Sequence, residues 1–293
     1  MRVGLWVGGI VGLLSLVASS GNAAPFVFST GSPDGKIATA SRPEDAGSGK
    51  IEIESADDFI LPTATQLNSA TFTGLLPANF PLASIGEVRV EIYRVFPLDS
   101  QNPPSGNVPT RVNSPSDVAL LDRDTGAGNL TFTTTLLNPL FSASNSVING
   151  INKSPNQFTG GEGATRGEEV LFTVQFTQPI VLPADHYFFI PQVALPGADE
   201  NFLWLSAPRP ITGGTGPFAN DLQSWIRNAN LDPDWLRIGT DITGQGPFNG
   251  AFSLAGVTPE LSGQSLMSSL TQRHLKAINT KSRLPCSAIS SRW

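Results

Sequence analysis

The chain has 293 residues, 40% hydrophobic and only 14% charged, with 29 glycines and 24 prolines, so it can bury a full core interrupted by many turns. Its formal charge of −6 is uneven: residues 24 to 260 carry 12 Lys and Arg against 24 Asp and Glu, a net of −12, while residues 261 to 293 carry 5 basic and no acidic side chains. An acidic body disfavours nucleic acid, because phosphate neutralisation needs a basic face, and no nucleic-acid partner is expected.

At the start of the chain, Arg2 is followed by an apolar run from Val3 to Ala18 and then by small residues from Ser19 to Ala24. This order predicts a secretory signal peptide over residues 1–23, cut to leave Ala24 at the new N-terminus. The run is shorter than the ~20 residues a bilayer core needs and is rich in Gly and Ser, so a retained anchor is the lesser reading. No later stretch is apolar enough to cross a membrane, since Tyr187–Ile190 stops at Pro191. The expected location is therefore secreted or extracytoplasmic, in the periplasm, at the cell surface or in the medium, with no stable transmembrane anchor after cleavage. Cys286 is the single cysteine and has no partner within the chain, so core packing must hold the protein without disulfides.

In the mature body, residues 24–257, the clearest strand is Glu87–Phe96. There Val88, Val90 and Ile92 alternate with Glu87, Arg89 and Glu91, placing one face in a core and one in water. Weaker strand signals fall, in order, at Lys50–Glu54, Asp58–Leu61, Ala70–Leu75, Leu130–Thr135, Val170–Phe176, Tyr187–Val193, Phe202–Leu205, Trp235–Ile238 and Ala251–Leu254. Val170–Phe176, Ile180–Leu182 and Asp185–Ile190 read as consecutive strands joined by tight turns, with Pro179 and Pro183 keeping the middle one short or at a sheet edge. Residues 99–117, with their prolines, and 142–168, rich in Asn, Gly and Ser, read as long surface loops. The combination predicts an all-β fold: one antiparallel β-sandwich or jelly-roll-like domain with long loops. Residues 258–293 form a basic tail, disordered or weakly helical over Ser265–Ile278.

Candidate sites each have a bland alternative. Asp122-Arg-Asp124-Thr-Gly126 places oxygen ligands at alternate positions, as calcium loops do, but has Thr133 where an EF-hand needs its bidentate carboxylate. A polar turn is the favoured reading, with calcium on Asp122 and Asp124 as the alternative and no other cofactor expected. Asp57 and Asp58, adjacent on a strand, point to opposite faces and are poorly placed to share one proton or ion. His186 has no Gly-x-Ser-x-Gly elbow to serve, so no Ser-His-Asp triad is expected. Trp204, Trp225 and Trp235, with Tyr187, supply either a platform for sugar rings or large side chains for the core. Asn129-Leu-Thr131 and Asn152-Lys-Ser154 match the glycosylation pattern.

Several segments together carry a resemblance: Ile53–Phe59, Ala70–Pro77, Val90–Pro97, Leu182–Tyr187 and Trp235–Thr240. Over most of residues 26–257 the chain resembles the exported ectodomains of bacterial proteins bearing the PEP-CTERM sorting signal. The resemblance implies a Val-Pro-Glu-Pro signature, an apolar helix and a basic tail processed by an exosortase; here the corresponding place reads Val257-Thr-Pro-Glu-Leu261, with no apolar helix after it. The expected function is that of a non-enzymatic envelope or extracellular-matrix protein contacting exopolysaccharide or surface proteins. The alternatives are a secreted carbohydrate-binding module or a glycan-active hydrolase, the latter requiring two carboxylates facing one another in a cleft.

Overall fold

The computed structural model describes residues 23–101, 103–152, 158–208 and 222–259. The expected signal peptide up to residue 22, the expected weak helix over Ser265–Ile278, and Cys286 lie outside the described residues. Among those described, strands follow in the order β1 (Ala24–Ser29), β2 (Ile37–Ala40), β3 (Ile53–Leu61), β4 (Thr65–Leu76), β5 (Val88–Arg94), β6 (Leu121–Asp124), β7 (Leu130–Ala143), β8 (Asn145–Val147), β9 (Thr165–Leu182), β10 (Asp185–Val193), β11 (Leu203–Ala207), β12 (Trp225–Asn228), β13 (Leu236–Arg237), β14 (Asn249–Gly250) and β15 (Phe252–Thr258). Helix among them is limited to a 3-10 turn at Leu82–Ser84 and a π-helical turn at Ile238–Ile242.

The strands form two sheets. In the first, β1, β15, β4, β9 and β7 lie side by side, while β11 continues the β15 edge of β4 and leads on to β2 and β8, with β14 pairing β11. The second runs β13-β12-β3-β10-β5-β6, antiparallel throughout. A parallel pairing joins β2 to β8. Residues Ala24–Pro259 form one compact unit, and the expected all-β, antiparallel-rich fold is what they adopt.

The core lies between the sheets and follows from period-two patterning. Val88, Val90 and Ile92 of β5, Phe59 and Leu61 of β3, and Tyr187 and Phe189 of β10 face Leu67, Ala70 and Phe72 of β4 and Val170, Phe172 and Val174 of β9. Each such side chain contributes roughly 1.5–3 kcal/mol by leaving water. The rings interlock: Phe72 stacks on Phe172 at 4.9 Å and Phe189 on Phe252 at 4.8 Å. Gly250 lets the Trp204 ring lie flat on the backbone, since a Cβ there would sit 2.3 Å from Cζ2 of that ring.

Four local expectations are corrected. Lys50–Glu54 and Asp58–Leu61 belong to one locus, with β3 running unbroken over Ile53–Leu61, because Ser55 and Asp57 find buried partners: Ser55 Oγ donates to the Ala40 carbonyl at 2.9 Å, and Asp57 accepts from the Gly250 amide at 2.9 Å. β9 runs through Pro179 to Leu182, and the expected turn is a register shift against β4 between Leu67 and Ser69. Within 142–168, β8 pairs with β2, and β9 already begins at Thr165. The described residues of 99–117 contain no strand beyond a Val95–Pro115 bridge but are not simply a surface loop, because Arg111, Ser114 and Ser116 are buried against the second sheet.

Candidate functional site

The outer face of the second sheet carries the richest chemistry. The alternation that turns Ile53, Phe59, Val90 and Ile92 inward turns Glu54 of β3, Glu91 and Tyr93 of β5, and Arg227 of β12 outward. Water does not cover them. The segment after β5 and the turn before β13 fold over this face: Trp235 donates its Nε1 proton to the Ser116 carbonyl at 3.0 Å, and Arg111 bonds Asp117 at 2.9 Å and Asp234 at 3.2 Å. Beneath them Ala56, Tyr93, Phe188, Ile190, Trp225 and Trp235 form a second apolar cluster. Glu91, expected on the wet face of its strand, is accordingly only 7% exposed.

Within this setting Glu54 is held at both oxygens. The Tyr93 hydroxyl donates to Oε1 at 2.7 Å, and Arg227 Nε donates to Oε2. Arg227 also donates from Nη2 to the Tyr93 oxygen at 2.9 Å and from Nη1 to the Asp117 carbonyl at 2.9 Å, and it pairs with Asp232 at 2.7 Å. Its guanidinium lies 4.4 Å from the Trp235 ring centroid and 5.3 Å from that of Tyr93. Beside this network opens a recess of about 340 Å³, lined chiefly by Glu52, Glu54, Tyr93, Asp117, Arg227 and Asp232.

Burial and like charge set the protonation states. Burial, then the neighbouring Glu54 and Glu52, pushes the Glu91 carboxyl up to about 9, so it keeps its proton at neutral pH. Glu52 is raised by burial and by Glu54, against the opposing pull of a hydrogen bond from Gln192 Nε2 at 3.0 Å. Burial raises Tyr93 as well, reinforced by Glu54. For Arg227, burial opposes the charge, but Glu54 and Tyr93 outweigh it and the net shift is upward. Arg89 spans the rim, 2.9 Å from Glu87, 3.7 Å from Glu52 and 3.9 Å from Glu91.

A Glu54 carboxyl paired with Arg227 beside a protonated Glu91 resembles the division of roles that glycoside hydrolysis uses. The surroundings work against that use. Both oxygens of Glu54 already accept strong hydrogen bonds, and Glu91 lies beside the recess rather than on its lining. The arrangement therefore presents fixed acceptors and a fixed guanidinium, which suits holding a polar ligand more than attacking one.

The residues singled out from sequence lie elsewhere or play other parts. Trp204, Trp225, Trp235 and Tyr187 are 2%, 1%, 0% and 1% exposed, so they fill cores and form no surface platform. Trp204 bonds the Ala251 carbonyl at 3.0 Å between the sheets, and Tyr187 stacks on Phe59 while donating to the Pro183 carbonyl at 3.1 Å. Asp124 closes a turn, accepting from the Ala127 amide at 2.6 Å, and Asp122 faces Arg89 at 4.0 Å. Among the described residues no three His, Cys, Asp or Glu side chains are grouped to hold a metal ion. Asp57 and Asp58 do point to opposite faces: Asp57 bonds Ser224 and Gly250 inside, while Asp58 bonds His186 Nε2 at 2.6 Å outside. Glu54, Tyr93 and Arg227 escaped sequence reasoning because Glu54 and Arg227 stand 173 positions apart, with no spacing to link them.

No protein-family model matches the chain, and neither the curated proteins nor the solved structures contain a match.

Proposed function

We propose that the chain is an exported, non-enzymatic protein of the cell envelope or extracellular matrix that contacts exopolysaccharide through the recess beside Glu54. The observation that carries this reading is the saturation of Glu54 by Tyr93 and Arg227, which leaves a polar recess whose buried carboxyl is already bonded at both oxygens. Carboxylates at Glu52, Asp117 and Asp232 accept bonds from sugar hydroxyls, and the recess is open enough for part of a chain to enter. The signal-peptide pattern and the resemblance to PEP-CTERM ectodomains support an extracytoplasmic setting. The juxtaposition of Glu54 with protonated Glu91 favours a second reading, a secreted glycan-active hydrolase.

Co-sedimentation of the full exported protein with polysaccharide from its own culture medium tests the first reading. Retention that falls at least tenfold in a Glu52→Gln/Asp232→Asn variant supports it; retention unchanged in that variant removes the recess from the account.

A further inference from the structure

A second ligand-sized feature lies on the other sheet, far in register from the Glu54 network. On the outer face of the first sheet, strand pairing brings hydroxyl side chains into one cross-strand row: Ser29 of β1 opposite Ser253 of β15, Ser253 opposite Thr71 of β4, Thr71 opposite Thr173 of β9, and Thr173 opposite Thr133 of β7. With strands about 4.8 Å apart, the row is about 19 Å long. All five side chains reach solvent, and Thr71 and Ser253 bond one another at 2.6 Å. The next row, Val27, Ala255, Ser69, Gln175 and Thr131, is also uncharged. On a body of net charge −12 this neutral face stands apart.

A hollow of about 330 Å³ crosses the face, lined by Ser29, Thr71, Thr73, Leu137, Glu169 and Ser253 among others. At its base are two polar side chains that the fold leaves unused. Glu169 is 9% exposed and Thr73 6% exposed; among the described residues, the carboxylate of Glu169 has neither a hydrogen bond nor an ion pair, and the Thr73 hydroxyl has no hydrogen bond. Burial raises the Glu169 carboxyl, with no neighbouring cation to offset it. The Glu169 carboxyl and the Thr73 hydroxyl are therefore left to water or to a ligand in the hollow.

We infer that this hollow binds a segment of a neutral polysaccharide chain, with Glu169 and Thr73 bonding one sugar from beneath and the hydroxyl row bonding its neighbours. Sugar hydroxyls are donors for Glu169 and either donors or acceptors for Ser and Thr, so each side finds a partner. Leu137 and Leu171 on the lining meet the C–H faces of the rings. An anionic chain would be repelled by Glu169 and find no cation here, and a metal ion would need more than the one carboxylate present. The length of the row fits an extended chain of several units rather than a single sugar. The choice of a glycan rests on the exopolysaccharide reading above, but the hollow shares no residue with the recess.

The test is an array of neutral, uronate-containing and amine-containing glycans probed with the full exported protein, its Glu169→Gln variant, and a Thr71→Val/Thr173→Val variant that keeps side-chain shape. Circular dichroism and thermal melts verify that each variant folds. Signals on neutral glycans that fall at least tenfold in both hollow variants support the inference. Signals confined to uronate or amine glycans, signals unmoved by the hollow variants, or no signal on any neutral glycan overturn it. Loss in the recess variant alone would overturn the hollow and leave the exopolysaccharide reading standing.

Discussion

Tyr93 reaches across the sheet from β5 to donate its hydroxyl to Glu54 of β3 at 2.7 Å, while accepting a bond from Arg227 of β12 at 2.9 Å. The phenol thus sits between a buried anion and a buried cation. Tyr93→Phe leaves one oxygen of Glu54 without its donor and is expected to cost about 1.5–3 kcal/mol, the range for a hydrogen bond to a charged group. Arg227→Met removes the ion-pair partner of buried Glu54 and should cost about 3–5 kcal/mol. Urea titrations followed by tryptophan fluorescence measure both; losses near zero for both variants would mean that the network does not brace the recess.

Stability should fall as pH rises toward alkaline values, through Glu91. Its carboxyl is raised from 4.5 to about 9 in the folded protein, so between those values the folded chain holds a proton that the unfolded chain has released. The unfolded state then binds fewer protons, and unfolding free energy declines with rising pH, by up to about 1.4 kcal/mol per pH unit for one such group. Glu54, Glu52 and Asp122 press on it with like charge, and Arg89 opposes them. Glu91→Gln removes the titrating proton but keeps the shape. The variant should melt higher than the parent at pH 8 and match it more closely at pH 5; equal differences at both values would assign the slope to other groups.

Gly250 and Trp204 are in contact that no side chain at 250 tolerates, with a Cβ 2.3 Å from the indole. Gly250→Ala should therefore destabilise by about 1–3 kcal/mol, as overpacked cores do, and shift the emission of the buried indole. An unchanged melting temperature and spectrum would show that the ring has room to move.

Asp124 caps a turn: its Oδ1 accepts the Ala127 amide at 2.6 Å while its own amide donates to Asn129 Oδ1 at 2.6 Å. Asp124→Ala should cost about 1 kcal/mol, comparable with other lost caps. Calcium and chelator should leave the melting temperature of the parent within about 1 °C of its value. A calcium-dependent rise abolished by Asp124→Ala would restore the calcium reading of Asp122 and Asp124.

The inward half of this architecture was legible in the sequence, and the covered outer half was not. Alternation placed Val88, Val90 and Ile92 in the core because one buried face leaves a period-two trace. The same trace predicted a solvated Glu91, because alternation cannot register a distant loop folding over the second face. β3 looked broken at Ser55 and Asp57, whose partners at Ala40, Ser224 and Gly250 come from distant parts of the chain. β7 continues past Thr135 through Pro139, which an edge strand accommodates where a central one would not. The recess was invisible for a related reason: Glu54, Tyr93 and Arg227 meet only through the order β12-β3-β10-β5, and no local motif encodes that order.

The central claim is that the recess holds polysaccharide without cleaving it. Incubating the full exported protein with polysaccharide from its own culture, and measuring bound polymer and newly formed reducing ends in the same samples over a day, separates the two readings directly. The account predicts polymer retained by the parent, weakened at least tenfold by Glu52→Gln/Asp232→Asn, with reducing ends no higher than in a protein-free control. Reducing ends that accumulate with the parent and vanish in Glu54→Gln or Glu91→Gln would contradict it and establish the two carboxylates as a catalytic pair.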